Sequence, residues 1–102
     1  MDSQIEAHGE ELNRLCQRFQ VSRLELFGSA AGERFDTESS DLDFLVEFLP
    51  LSPPEHANSD FGLLEALQDL FQRPVDLVEL NAIRNPYFQA SVDRTRVLLY
   101  AA

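Results

Sequence analysis

The feature that most constrains this chain is the segment 41–49, in which every even position is apolar and most odd positions before Leu49 are acidic. The even positions are Leu42, Phe44, Val46 and Phe48, and two of the odd positions are Asp41 and Asp43. Successive side chains of a β-strand point to opposite faces, so the two aspartates share one face with Cα atoms about 6.8 Å apart. The apolar face fixes the register. The pattern therefore predicts a strand that presents two carboxylates together.

Two carboxylates on one face require an opposite charge nearby. Like charges about 4 Å apart repel by roughly 4 kcal/mol at an effective dielectric of about 20. An oxygen-only pair of this kind favours Mg²⁺, Ca²⁺ or Mn²⁺. Just before this strand, Gly28 and Ser29 form a predicted tight turn, and glycine lets a backbone approach a phosphate closely. These residues suggest a metal site beside a phosphate-binding turn.

Other interpretations of the same residues have less support. Asp41, Asp43 and Asp76 could be solvated residues at strand ends on an acidic surface, but this leaves the aligned carboxylates and the Gly28-Ser29 turn unconnected. A calcium loop over 36–47 lacks the glycine that an EF-hand loop requires.

The charge of the chain excludes some classes of protein. Its 102 residues carry a net charge of −10, and all eight basic residues are arginines. A P-loop NTPase is excluded because it needs a phosphate-binding lysine, and direct nucleic-acid binding is not expected from so acidic a chain. A single cysteine, Cys16, and the absence of an apolar segment in the first fourteen residues predict a cytoplasmic protein without a membrane span.

The hydrophobic pattern predicts one α/β domain over residues 1–102. A helix is expected near 3–19, weakened at His8 and Gly9, and strands at 23–27, 41–49 and 75–80. A second helix begins at Ser59 or Asp60 and ends near Arg73. We expect a helical turn and loop over 30–40, a proline-rich extended connector over 50–58, and a helix over 85–94. The connector contains His56, which has no second His or Cys nearby at the spacing of metal ligands. Residues 97–100 form either a fourth strand or the end of that helix.

Gly28-Ser29, Asp41-Leu42-Asp43 and Val75-Asp76-Leu77-Val78 together resemble the minimal nucleotidyltransferases of the DNA polymerase β superfamily. The likeness extends from Phe27 to Tyr100. It implies a small mixed β-sheet, with helices packed on one face and the carboxylate site on the other.

The resemblance also implies roles for individual residues. Asp41 and Asp43 would hold two Mg²⁺ ions, and Asp76 would be the third carboxylate, which contacts the catalytic metal. Gly28 and Ser29 would hold the β and γ phosphates of ATP. The commoner family pattern has an arginine shortly after Gly-Ser, whereas here the first arginine is Arg34, the remaining phosphate-binding candidate.

Small proteins of this kind resemble the antitoxins of HEPN/MNT toxin-antitoxin pairs, in which AMP from ATP is attached to a tyrosine of a HEPN ribonuclease toxin. The resemblance implies a HEPN-type toxin, encoded nearby, as partner, and leaves open a homo- or hetero-oligomer. The alternative is a catalytically degenerate member that neutralises its partner by contact only. Tyr87 and Tyr100 could accept a nucleotide, but core or interface packing is favoured for both.

Overall fold

The computed structural model describes residues 3–28, 41–80 and 96–102. In chain order its elements are α1 (Ser3–Ala7), α2 (Gly9–Arg18), β1 (Val21–Phe27), β2 (Leu42–Phe48), α3 (Pro53–Phe71), β3 (Val75–Glu79) and β4 (Val97–Ala101). The predicted turn and loop over 30–40, the helix over 85–94, and the site candidates Ser29 and Arg34 lie outside the described residues, as does Tyr87.

The four strands form one mixed sheet in the order β3-β2-β1-β4. Strand β1 is antiparallel to both β2 and β4, whereas β2 and β3 are parallel. Parallel neighbours need a crossover connection, which α3 provides. Residues 97–100 are therefore a strand, which settles the alternative that the sequence left open. The predicted mixed α/β sheet is confirmed.

The helices cover one face of this sheet and enclose the main core. Leu24 and Leu26 of β1 and Phe44 and Val46 of β2 are fully buried against α3, whose Phe71 ring stacks on Phe44 at a centroid distance of 6.3 Å. Burying each side chain of this size contributes about 1.5–3 kcal/mol. The predicted apolar stripes of the helices are confirmed by the burial of Ile5, Leu12, Cys16, Leu63 and Leu67.

The opposite face of the sheet carries a smaller apolar cluster. Phe27 and Leu45 are buried there, and Val78 and Leu80 pack against them. The face that bears Asp43 is therefore apolar in its middle, which reduces the access of water to that carboxylate.

The connector predicted over 50–58 is wrong from Pro53 onwards, because α3 begins there. Ser52 caps the helix, since its Oγ accepts a hydrogen bond from the backbone N–H of Glu55 at 3.4 Å and donates one to the Glu55 carboxylate at 2.7 Å. Proline is tolerated in the first turn because its missing N–H would have no intrahelical partner there. Ser59 and Asp60, the predicted caps, lie inside the helix.

The first predicted helix is divided at His8 into α1 and α2. His8 is only partly exposed, because its ring meets the edge of Phe71 at a centroid distance of 5.7 Å. The weakness expected at His8 and Gly9 is confirmed, because the helix is interrupted there. No helix among the described residues is long and apolar enough to cross a membrane.

We predict that Gly62→Ala destabilises the fold although alanine favours helices. A Cβ at Gly62 in α3 would lie 2.4 Å from Cε1 of Phe19, so the ring must move. Such overpacking costs about 1–3 kcal/mol. Gly9→Ala is the matched control, because a Cβ there meets nothing within 4 Å, and it should stabilise by roughly 0.4–1 kcal/mol. Urea unfolding of both variants measures the two effects, and equal stabilisation by both would contradict the close helix contact.

Candidate functional site

The described candidate residues meet where β1 ends and where β2 and β3 begin. In the register of the sheet, Phe27 lies opposite Asp43, and Asp43 lies beside Asp76. Neighbouring strands are about 4.8 Å apart, so the two aspartates extend from adjacent positions on the same face. Asp41 precedes β2 and is close enough to Asp43 to affect its ionisation. The structure thus places Asp43 beside Asp76, with Asp41 near Asp43, at one edge of the sheet.

The local backbone explains this placement. Leu42, next to Asp43, is fully buried on the helix face, so Asp43 must point to the opposite face. The backbone N–H of Leu42 donates a hydrogen bond to the carbonyl of Pro74 at 3.0 Å, which ties the start of β2 to the residue before β3. This bond and the parallel ladder hold Asp43 and Asp76 at the same level.

The three carboxylates have different environments. Asp41 and Asp76 are exposed, whereas Asp43 is half-buried. The pKa of Asp43 is raised above its ordinary value by burial first, then by the negative charges of Asp76 and Asp41. Burial and like charge both oppose its ionisation, and a bound cation would reverse this preference.

Gly28 leaves the space that Asp43 occupies. Its φ angle is +76°, a left-handed backbone conformation that side chains disfavour, and a Cβ there would lie 2.7 Å from Oδ2 of Asp43. Any larger residue would therefore strain the turn and displace the carboxylate. The backbone of the predicted phosphate-binding turn passes directly beside the acidic group.

The donor set fits a hard divalent cation, because all three groups are carboxylates. However, within residues 3–28, 41–80 and 96–102, no three His, Cys, Asp or Glu side chains are gathered in a geometry that would hold one ion. The aspartates are neighbours on one edge of the sheet, and their side chains would have to turn towards a shared ion.

Sequence reasoning missed a buried charge on the same face of the sheet. Glu25 is only 3% exposed and lies between two arginines. Arg23 contacts its Oε1 through Nε at 2.9 Å and Nη2 at 2.8 Å, and Arg96 contacts its Oε2 through Nε at 2.8 Å and Nη2 at 2.6 Å. The Arg23-Leu24-Glu25 alternation could have indicated the first pair. The second depends on pairing of β1 with the distant β4.

The placement of His56 was also wrong, since it was predicted to lie in an extended connector. It lies in α3, where its Nε2 contacts the Glu79 carboxylate and its ring meets the edge of Phe48 at a centroid distance of 5.1 Å. This cluster is on the helix face of the sheet, away from Asp43.

Known proteins resemble this chain in sequence and fold. Residues 10–99 match the family model described as "Nucleotidyltransferase domain". The chain is 39% identical to "Putative protein adenylyltransferase MJ0128" of Methanocaldococcus jannaschii over 78% of this chain and 76% of that protein.

Two solved structures have the same fold. "Structure of putative minimal nucleotidyltransferase" has a TM-score of 0.66 and 30% identity, with 95% of each chain covered. The tri-AMPylated Shewanella oneidensis HEPN toxin in complex with MNT antitoxin has a TM-score of 0.64 at 18% identity, with 96% of this chain and 73% of that chain covered. The second likeness concerns the fold alone.

We predict that Asp43→Asn raises the free energy of unfolding at neutral pH in metal-free buffer. The pKa of Asp43 is higher in the folded chain than its ordinary value of 3.8, so the folded state binds more protons between these two pKa values. Wild-type stability therefore decreases as the pH rises through the folded-state pKa, and the advantage of the variant disappears as the pH falls towards the ordinary value.

Urea unfolding over a pH series tests this expectation. Asp69→Asn is the matched control, because it removes one negative charge from an exposed position on α3. The crowding of the three carboxylates would be contradicted if Asp43→Asn raised the free energy of unfolding no more than the control does. An increase of this free-energy difference at low pH would also contradict it.

Proposed function

Because the chain belongs to the nucleotidyltransferase domain family, we propose that it transfers AMP from ATP to a tyrosine of a HEPN ribonuclease toxin and so acts as its antitoxin. The observation that carries the proposal is the register pairing of Asp43 with Asp76 beside Gly28. Carboxylates placed next to a glycine turn can bind the metal ions of a metal-bound triphosphate. The names of similar proteins support adenylyl transfer, and the HEPN/MNT complex supports this class of partner.

In the proposed site, Asp41 and Asp43 would hold two Mg²⁺ ions, and Asp76 would be the third carboxylate ligand. When bound, the ions supply positive charge to the attacking and leaving oxygens of an in-line displacement. Asp43 is half-buried beside Phe27, so its charge acts in surroundings where water screens it less than at the exposed Asp41 and Asp76.

The acceptor and the phosphates have separate places in this scheme. Asp76 accepts the proton of the tyrosine hydroxyl, whose oxygen forms a bond to the α-phosphorus of ATP. The bond between that phosphorus and the oxygen leading to the β-phosphate breaks, and pyrophosphate leaves. Gly28 and Ser29 hold the β and γ phosphates, and Arg34 is the candidate for additional positive charge. The chain contains no lysine for this purpose.

A second candidate function is neutralisation of the toxin by contact without AMP transfer. One observation favours it: the segment 30–33 lacks the arginine that is common after Gly-Ser in the family. The loss of a cation beside a triphosphate would lower transition-state stabilisation. The two candidates differ in whether neutralisation requires the aspartates.

The direct experiment combines the purified chain with Mg²⁺, each radiolabelled NTP and a candidate HEPN-type toxin. AMP transfer predicts label from ATP on the toxin and a mass increase of one AMP unit at a tyrosine. Neutralisation of ribonuclease activity without label, equal for wild type and Asp43→Asn, would support contact-only binding and overturn the enzymatic proposal for this pair.

We predict that Asp43→Asn and Asp76→Asn each lower the rate of AMP transfer by about 100-fold or more. This loss corresponds to about 2.7 kcal/mol of transition-state stabilisation, a modest part of what metal-assisted charge stabilisation supplies. Asp69→Asn on the outer surface of α3 should leave the rate within about twofold. Transfer rates at saturating ATP and toxin measure the effect. Full activity of either site variant would contradict the assignment of that residue to the site.

We predict that Gly28→Ala abolishes most transfer without unfolding the chain. A methyl group there would meet Oδ2 of Asp43 at 2.7 Å and would strain a backbone with φ of +76°. Displacement of the Asp43 carboxylate should weaken Mg²⁺ binding and lower the rate of AMP transfer. Gly9→Ala is the matched control, since it adds the same methyl group in open space. Transfer is assayed over a Mg²⁺ series, and wild-type activity of Gly28→Ala would contradict the close approach.

A further inference from the structure

A pocket of about 500 Å³ lies at the N-terminal half of α3, on the side of the sheet opposite to Asp43. It is lined by Leu51, Pro53, His56, Ala57, Asp60 and Phe61. Its size is enough for a large side chain, and it combines apolar walls with a few polar groups, as is typical of binding pockets. The proposed transfer reaction does not use it.

The polar wall of the pocket has an excess of negative charge. His56 and Asp60 are one helical turn apart, and His56 contacts Glu79 of the neighbouring β3. Asp60 is partly buried, and its pKa is raised by this burial and by the charge of Glu79, while His56 lowers it to a smaller extent. Two carboxylates therefore face a single imidazole.

Asp60 itself has spare capacity to accept hydrogen bonds. In the part of the chain that the structure describes, no group donates a hydrogen bond to its carboxylate and no arginine forms an ion pair with it. The carboxylate of Glu25 shows the contrast, since two arginines of the same chain hold it. Because Asp60 is partly exposed, its carboxylate is accessible to solvent and to a donor from a partner.

The apolar wall of the pocket includes an exposed aromatic ring. Phe61 is 69% exposed, more than Leu98 at 50% and Leu49 at 40%, the other exposed large hydrophobic residues of the described part. A single exposed apolar residue needs no explanation, but here the ring follows Asp60 directly and lines the same pocket. Exposed aromatic residues beside a pocket are common anchors of protein interfaces.

We infer that this pocket is a docking site for an arginine side chain presented by a partner protein, with an apolar neighbour of that arginine seated on Phe61. Arginine fits both walls, because its planar guanidinium can form a bidentate pair with a carboxylate and can stack on an aromatic ring. The net charge of −10 favours a basic partner surface. The inference is independent of the proposed AMP transfer, because it requires only binding.

Selection from a displayed library of random peptides can identify such a ligand. Wild-type protein is the target, and the double variant Asp60→Asn/Phe61→Ser is the counter-target that removes peptides bound elsewhere. Enriched peptides should contain an arginine next to an apolar residue. Selection on Asp43→Asn should enrich the same peptides, so failure of the catalytic proposal would leave this result unchanged.

Calorimetry with the best peptide then tests the individual contacts. Asp60→Asn and Phe61→Ser should each raise Kd about tenfold or more, whereas Phe61→Leu should have a smaller effect. Leu98→Ser is the matched control, because it removes an exposed apolar side chain from β4, and it should leave Kd unchanged. Replacing the peptide arginine by citrulline should raise Kd as much as Asp60→Asn does. Circular dichroism checks that each variant is folded.

Three results would overturn the inference. The first is no enrichment over the counter-target, and the second is enrichment without arginine. The third is concentration-dependent self-association of the wild type that Phe61→Ser abolishes in sedimentation experiments, because the occupant would then be a second copy of this chain.

Discussion

The parallel pairing of β2 with β3 is the constraint on which the site depends. It places Asp43 beside Asp76, and a shift of one residue in either strand would turn an aspartate towards the helix core. The buried side chains Leu42, Phe44 and Val46 prevent this shift, because it would expose all three. Helix α3 makes the pairing possible, since its 19 residues extend about 28 Å and return the chain to the starting edge of β2. Core packing thus determines the position of carboxylates that contribute nothing to the core.

Two acidic residues on the same face of the sheet are stabilised in different ways. Glu25 is nearly fully buried, and Arg23 and Arg96 compensate its charge within the chain. Asp43 is less buried than Glu25, and its pKa is raised first by its own burial and then by the charges of Asp76 and Asp41. A buried carboxylate with two guanidinium partners fixes β4 against β1, whereas a cluster of like charges is stable only with protons or an added cation. The first arrangement therefore serves the fold, and the second is suited to binding.

The local pattern of the sequence predicted most of the elements, because alternation and helical periodicity report which face is buried. Leu42, Phe44 and Val46 were identified in this way. The start of α3 was missed, since Pro53 and Pro54 were interpreted as helix breakers although Ser52 caps the helix by accepting a hydrogen bond from the backbone N–H of Glu55. The Glu25–Arg96 pair and the pocket beside Asp60 were missed because both depend on contacts between distant segments. The alignment of Asp76 with Asp43 was suggested only by family resemblance, since parallel register is not visible in local sequence.

Strand β3 connects the two functional proposals physically. It is an edge strand of the described sheet, and it carries Asp76 on one face and Glu79 on the other. Three residues of extended chain span only about 10 Å, so the carboxylate edge and the pocket beside Asp60 lie on opposite sides of one narrow edge. A partner that inserts an arginine into the pocket binds the helix side of the sheet, whereas the proposed nucleotide site beside Gly28 and Asp43 is on the opposite side. The two proposed sites therefore use different faces of the sheet.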